Sequence, residues 1–366
     1  MSNVKKLIML HVPTSICNFR CHYCYLAQRN TAYQGIQPKM NYSPQQVRKA
    51  LSVERMGGPC FINACAEGET LLTENIDLYF KELVEEGHYL EIVTNLTVTP
   101  MINKILSWDA ALLRRVEFKC SFHYLELKKH KLLEVFATNV NKVWEAGASA
   151  TIEITPSDEL IPYIDEVKNF SLKHFGALPH LTIARDDRTK EIAYLTKLSD
   201  EEYEKAWSGF RSGLWEYKRT IFGVKQTGFC YAGLWSFSVN LATGNAAACY
   251  YMPLGNIFED PEKPFPFRPI GKCPIAHCYN GHAFLTFDSI PGSTNYCYCD
   301  MRNRRRDDGR EWLQPEMKAF FSSKLTQSNE PWPKRKEACF MFRVKVKQNY
   351  KATKRKIKHA IRGIIS

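Results

Sequence analysis

The sequence predicts an α/β protein built on a parallel sheet, and three observations lead there. Short apolar runs alternate with amphipathic stretches from the start of the chain to about residue 190. Those amphipathic stretches open and close with residue types that cap helices. The chain has 366 residues, enough for a large core and a second domain. Repeated strand–helix units dictate parallel strands joined by right-handed crossovers.

Candidate strands are residues 6–13, 59–66, 89–95, 115–122, 150–155 and 180–185. Ser43 serves as an N-cap with Pro44 at the first helical position. Thr73 is expected to cap a helix running through Ile76, Tyr79, Phe80 and Leu83, which Gly87 ends. Residues 132–144 read as a further helix stopped at Gly147, and Ser157 as the cap of one through Ile161, Ile164 and Val167. Residues 198–222 are polar and aromatic at helical spacing, starting at Ser199, and read as a linker helix. An alternating run, Trp235 to Leu241, a turn at Ala242-Thr243-Gly244-Asn245 and a return strand ending at Cys249 make a β-hairpin. Residues 301–310 are densely charged and are expected to form a solvated loop or an active-site flap.

Three cysteines, Cys17, Cys21 and Cys24, follow the first strand on a turn begun by Pro13. Three thiolates on a tight loop can hold three irons of a [4Fe-4S] cluster and leave the fourth open to a small molecule. A zinc knuckle, or three unrelated buried cysteines, satisfies the spacing alone equally well. Cys60, Cys65 and Cys120 lie inside apolar strand runs and read as packing residues.

The stretch Cys17-Asn18-Phe19-Arg20-Cys21-His22-Tyr23-Cys24 resembles the signature of the radical S-adenosylmethionine (SAM) family. The resemblance implies a partial (β/α)6 TIM-like barrel over residues 1–197. It also implies an open iron that chelates the amino and carboxylate groups of SAM, and reductive cleavage of SAM to a 5′-deoxyadenosyl radical. Tyr23 would then lie against the adenine. Ala66-Glu67-Gly68-Glu69-Thr70 is similar to the family's Gly-Gly-Glu-Pro motif, with Glu67 in place of a Gly and Thr70 in place of the Pro. Gly68 and Glu69 are the implied contacts to the SAM amino group. Asn95, in Thr94-Asn95, is the implied lining residue at the third strand's end, and Ser121 the implied neighbour of the ribose. His123 either faces substrate or is simply hydrogen-bonded. Arg185 either pairs with the SAM carboxylate or forms a surface salt bridge.

A second group of cysteines lies further on. The hairpin with Cys230 and Cys249 at its ends, then Leu254-Gly255-Asn256-Ile257, then Cys273 and Cys278, resembles the SPASM and twitch auxiliary domains attached to many radical SAM enzymes. That resemblance implies a smaller C-terminal α+β auxiliary domain over residues 226–310, after a linker helix at 198–225. Its implied ligands are Cys230, Cys249, Cys273 and Cys278, holding one auxiliary [4Fe-4S] cluster. Six cysteines lie between residues 230 and 300, fewer than the two-cluster SPASM pattern uses, so the one-cluster twitch form is implied. Cys297 and Cys299 are left as a replacement ligand, a second metal contribution or packing residues. A structural zinc at the same four cysteines is the competing reading.

The net charge of +12 is concentrated at one end. Residues 334–366 carry twelve Lys or Arg and one acid, a charge of +11, which leaves the rest near +1. In this extension, 311–366, Ile357, Ala360, Ile361 and Ile364 after Tyr350 fall at helical spacing between the basic residues. They make a basic amphipathic helix suited to an anionic membrane surface, or equally a docked helix or disordered tail. No aromatic platform accompanies the charges, so nucleic acid is not the expected partner. No apolar run is long enough to span a membrane and no signal-peptide pattern opens the chain, so a cytoplasmic, or membrane-peripheral, location is expected.

The expected function is hydrogen abstraction from an organic substrate, a small metabolite, a sugar or a peptide, supported by a reductant such as flavodoxin or ferredoxin. The auxiliary cluster would ligate substrate or accept an electron, favouring a net oxidation. The competing readings are a peptide- or protein-modifying maturase, an RNA-modifying enzyme that grips RNA with the tail, and a non-catalytic metal-binding scaffold.

Overall fold

The computed structural model describes residues 3–28, 33–188, 193–249 and 252–346, together with Tyr350 and Thr353. Six strands run parallel, each paired with the next: β1 (Lys6–Val12), β2 (Cys60–Ala66), β3 (Tyr89–Thr94), β4 (Val116–Ser121), β5 (Ser149–Ile154) and β6 (His180–Leu181). A two-stranded antiparallel ribbon, β7 (Arg185–Asp186) and β8 (Ala193–Tyr194), stands apart. Then β9 (Ser236–Asn240) returns to pair parallel with β1, and β10 (Asn245–Ala247) and β11 (Pro253–Asn256) extend that edge antiparallel. Residues 226–310 therefore begin as part of one nine-stranded sheet.

Parallel strands covered on both faces read as nearly continuous apolar runs. Ile8, Leu10, Ile62, Ala64, Ile92, Phe118 and Ile152 bury one face. Against it lie the helices Pro44–Ala50, Ile76–Glu85, Thr99–Leu106, Leu133–Glu145 and Ile164–Phe175, through residues such as Val47, Phe80, Ile105, Val140 and Val167. On the opposite face Leu7, Phe61 and Tyr89 join a second core with Phe287, Tyr298, Phe320 and Phe321. Tyr89 stacks on Phe320 at 3.6 Å between ring centres.

Above that apolar layer the same face turns polar. Asn63, Glu91 and Glu117 share one register row across β2, β3 and β4. The guanidinium of Arg302, wholly buried, donates to Glu153 at 2.7 Å and to Thr151, and lies 3.6 Å from Glu117. Tyr298 donates to Glu91 at 2.6 Å. Side chains from three successive strands converge on one guanidinium, so the sheet curls around the helix Tyr298–Arg302, as a partial TIM-like barrel does.

The structure corrects several local expectations. The sixth strand is only two residues long. His180 is tied to Asn303 O at 3.2 Å, and Arg185 falls on the β7–β8 ribbon. Thr73 ends a short 3-10 turn, and the helix Ile76–Glu85 instead starts after Asn75, which sits in the left-handed region at φ 54° with no side-chain cap bond. Ser157 makes no cap bond, and Pro162 lies inside a 3-10 segment, Asp158–Tyr163, that precedes the helix. The expected linker helix is two helices, Asp200–Trp207 and Gly213–Ile221, separated at Arg211 in the left-handed region. Residues 301–310 are not a solvated loop throughout, since Met301 and Arg302 are buried. The tail helix expected after Tyr350 lies outside the described residues, apart from Tyr350 and Thr353. No described helix is long and apolar enough to cross a membrane.

Candidate active site

The loop carrying Cys17, Cys21 and Cys24 leaves the carboxyl end of β1, where parallel α/β folds place their chemistry. Its backbone is held from two sides. Gly68, after β2, lies so close that a Cβ there would overlap the carbonyl oxygen of Ile16. Glu69 N donates to that same oxygen at 2.8 Å. On the other side Glu126 accepts from Arg20 N at 2.9 Å, while the Arg20 guanidinium donates to Cys17 O and Phe19 O at 2.7 and 2.8 Å. Only a chain without a side chain fits at Gly68, which gives a physical reason for that residue beside the loop.

The three thiols lie within electrostatic reach of one another. Burial pushes Cys17 up to about 11, with Cys24 adding to the rise and Arg20 opposing it. Burial raises Cys21 further, then Cys24, Glu126 and Cys17. Buried thiols without a compensating cation stay protonated; a cationic metal cluster reverses that, so the trio is the kind of donor set a cluster uses.

Glu69 is almost fully buried and its carboxylate is engaged within the protein. It accepts from Leu71 N at 3.0 Å, Thr94 Oγ1 at 2.6 Å and Asn95 N at 2.7 Å. Burial raises its pKa, and those three donors oppose the rise. Asn95 passes the link onward, donating from Nδ2 to Asn18 Oδ1 at 2.7 Å on the cysteine loop. Gly68, Glu69 and Asn95 thus form one framework under the loop. Tyr23 OH and His123 Nδ1 are hydrogen-bonded at 2.7 Å, and burial lowers His123 to about 4, leaving it neutral. Ser121 ends β4, in register with Glu153. Arg185 is ion-paired with Asp187 at 3.0 Å and lies over the rings of Tyr25, at 4.2 Å, and Tyr279, at 5.5 Å. It thereby bridges the residues that follow Cys24 and Cys278.

The second cysteine group is assembled from three segments, around Cys230, Cys249 and the run from Cys273 to Cys278. Cys230 pairs with Gly271 in a β-bridge, which brings Cys273 alongside. Gly233, at φ 94°, packs against Ala248 and the carbonyl of Arg268 with no room for a Cβ. Ser238 Oγ holds Cys249 O at 3.0 Å. Burial raises the Cys278 thiol, and Cys249, Cys230 and Cys273 each add to the rise, so the four lie within reach of one another. Burial likewise pushes Cys230 up to about 12, followed by Cys273 and Cys249. Cys297 and Cys299 sit elsewhere, at the start of the helix Tyr298–Arg302 beside the second core, and the Cys297 thiol donates to Asp300 Oδ2 at 3.2 Å. Cys60 and Cys120 are fully buried, whereas Cys65 is partly exposed. Among the described residues no three His, Cys, Asp or Glu side chains converge as a single metal ion needs. A cluster attaches each thiolate to a different iron, so its ligands stand further apart than those of one zinc.

The sequence did not single out Lys218 or His282, and it assigned no role to His277. These three line a cavity of about 40 Å³ together with Arg185, Cys278 and Tyr279. Lys218 is hidden in the linker segment and His277 between two cysteines, so neither carries a pattern of its own.

Compared with models of known families the chain matches none, and no curated protein matches it. Among solved structures it is similar to anSMEcpe with bound AdoMet, at 16% identity over 70% of this chain and 76% of that one, with a TM-score of 0.49. It is also similar to SuiB of Streptococcus suis bound to S-adenosylmethionine, at 14% identity over 71% and 63%, with a TM-score of 0.46. Both scores lie below one half, a likeness that identifies neither a substrate nor a reaction.

Proposed function

We propose that this chain is a radical SAM enzyme that abstracts hydrogen from an organic substrate. The observation that carries this reading is the seating of Cys17, Cys21 and Cys24 together on one loop at the carboxyl end of β1, clamped by Gly68, Glu69 and Glu126. Those three cysteines would hold a [4Fe-4S] cluster, which supplies the electron for reductive cleavage of SAM. Tyr23, fixed by His123, would form the adenine wall. Gly68 and Asn95 would present backbone and amide groups to the cosubstrate, with Ser121 toward the ribose. Glu69 would act by fixing Asn95 and the strand ends rather than as a free carboxylate. The Arg185 guanidinium is committed to Asp187 beside Cys278, and the SAM carboxylate is not assigned to it.

Cys230, Cys249, Cys273 and Cys278 would hold an auxiliary [4Fe-4S] cluster. Their assembly from three separate segments supports a built site, and a nearby electron acceptor favours net oxidation of the substrate. The substrate is an organic molecule: a small metabolite, a sugar or a peptide.

The test is anaerobic reconstitution with iron and sulfide, followed by SAM and a strong reductant. 5′-Deoxyadenosine is expected from the wild-type chain and not from a variant with Cys17, Cys21 and Cys24 all changed to Ala. Equal amounts from both would sink the radical reading. Iron analysis of that variant separates the auxiliary group: iron with visible absorption supports a cluster, and zinc alone overturns it.

A further inference from the structure

We propose that the cavity beside Cys278 binds a carboxylate of the substrate, received by Lys218 and His277, with Arg185 and His282 on its wall. This rests on the site described above and names a substrate class for it. The cavity holds about 40 Å³, room for a small planar group. Its charges are unevenly matched. Arg185 is paired with Asp187 at 3.0 Å. Glu153, the acid nearest Lys218, is already held by Arg302 at 2.7 Å and Lys119 at 3.7 Å. The Lys218 ammonium donates to the Thr182 hydroxyl, and no carboxylate lies within ion-pair distance of it among the described residues. A lysine has three donors, so two remain.

The histidines add a second, independent observation. His277 is 6% exposed, and its Nδ1 accepts from Gly223 N at 3.4 Å. That leaves the other ring nitrogen, Nε2, which is buried and has no partner. His282 is 7% exposed, and its buried Nδ1 also has no partner. Buried polar groups left unmet are rare and costly. A carboxylate offers up to four acceptor positions and one negative charge, which answers Lys218 and His277 Nε2 together. Water fits the volume and can satisfy a donor, but it leaves the Lys218 charge unanswered. Arg185, stacked between Tyr25 and Tyr279, places this anchor between the two cysteine groups.

The experiment uses the anaerobically reconstituted full chain, without SAM and with saturating SAM. The probe is [13C]acetate, with acetamide as the neutral isostere, and the readout is NMR line broadening on titration. Acetate is expected to bind saturably and about tenfold or more tighter than acetamide. Lys218→Met and His277→Gln are each expected to weaken acetate by about tenfold. Lys218→Arg is expected to retain binding and keeps the test open should Lys218→Met fail to fold. Lys81→Met, on the outer surface, is expected to change nothing. The proposal is overturned if acetamide binds as well as acetate, if neither cavity variant weakens acetate, or if SAM displaces acetate, which would assign the site to the cosubstrate's own carboxylate. Acetate binding without 5′-deoxyadenosine formation would sink the radical reading alone; 5′-deoxyadenosine formation without acetate binding would sink the carboxylate site alone.

Discussion

At the residue scale the site depends on close backbone approaches more than on charged side chains. Gly68 is the clearest case. A methyl group at this position has nowhere to go, because the obstructing atom is the backbone oxygen of Ile16 and not the tip of a flexible side chain. Gly68→Ala must therefore move the Ile16–Cys17 backbone or break the bond from Glu69 N to Ile16 O. Overpacking of this kind costs about 1–3 kcal/mol. The expected outcome is a lowered denaturation midpoint together with loss of iron from the Cys17, Cys21, Cys24 site, read by iron analysis in a background lacking the other four cysteines. Full iron retention would show that the loop is not set by this contact. The Gly and Glu were visible in the sequence only as an imperfect motif. Their physical roles were not visible, because the donors to Glu69 come from Thr94 and Asn95 on the next strand. A carboxylate with three internal donors looks the same in sequence as one that faces a ligand.

At the scale of elements, local chemistry was legible wherever it acts within a few residues. The capping boxes at Ser43 with Gln46 and at Ser199 with Glu202 form as their spacing requires. The hairpin turn at Gly244 does too, with φ 74°. Elements fixed by distant partners were misread: β6 is cut short beside His180, whose ring packs edge-on to Trp312 at 6.0 Å. Gly244 links the two kinds of information. A Cβ there would overlap Asn256 Oδ1 and crowd Phe258, while Asn256 Nδ2 holds Thr243 O at 2.9 Å and Tyr42 OH at 3.0 Å. Gly244→Ala adds left-handed strain of about 1–2 kcal/mol to that crowding. Because Cys249 lies two residues beyond the end of β10, the auxiliary group should be lost first. Iron content is expected to fall toward half while 5′-deoxyadenosine is still formed. An unchanged iron content would mean that the hairpin geometry does not position Cys249.

At the scale of the whole molecule, the barrel interior is stabilised by a polar group that sequence proximity cannot reveal. Arg302 and Tyr298 reach Thr151, Glu153 and Glu91 across 149 to 207 residues of chain. This is why a charged run that reads as solvated ends up at the centre of the fold. The cost of that arrangement falls on Glu117. Burial pushes its pKa up from the ordinary 4.5 to about 8, Glu91 pushes it further, and Arg302 opposes both. A carboxyl whose folded pKa is raised contributes stability below its unfolded pKa and loses it as pH climbs through the folded one. The relevant window is therefore about 4.5 to 8. The raw stability curve will not show this cleanly, because buried His88 and His123, both lowered to about 4, gain stability as pH rises from about 4 toward 6.5. The comparison with Glu117→Gln isolates the effect, since the amide keeps the shape and cannot ionise. The stability of wild type relative to this variant is expected to fall as pH rises across the window, by at most about 1.4 kcal/mol per pH unit. Denaturant unfolding at a series of pH values reads it directly. A difference that stays flat, or that grows with pH, would mean that Arg302 holds Glu117 ionised.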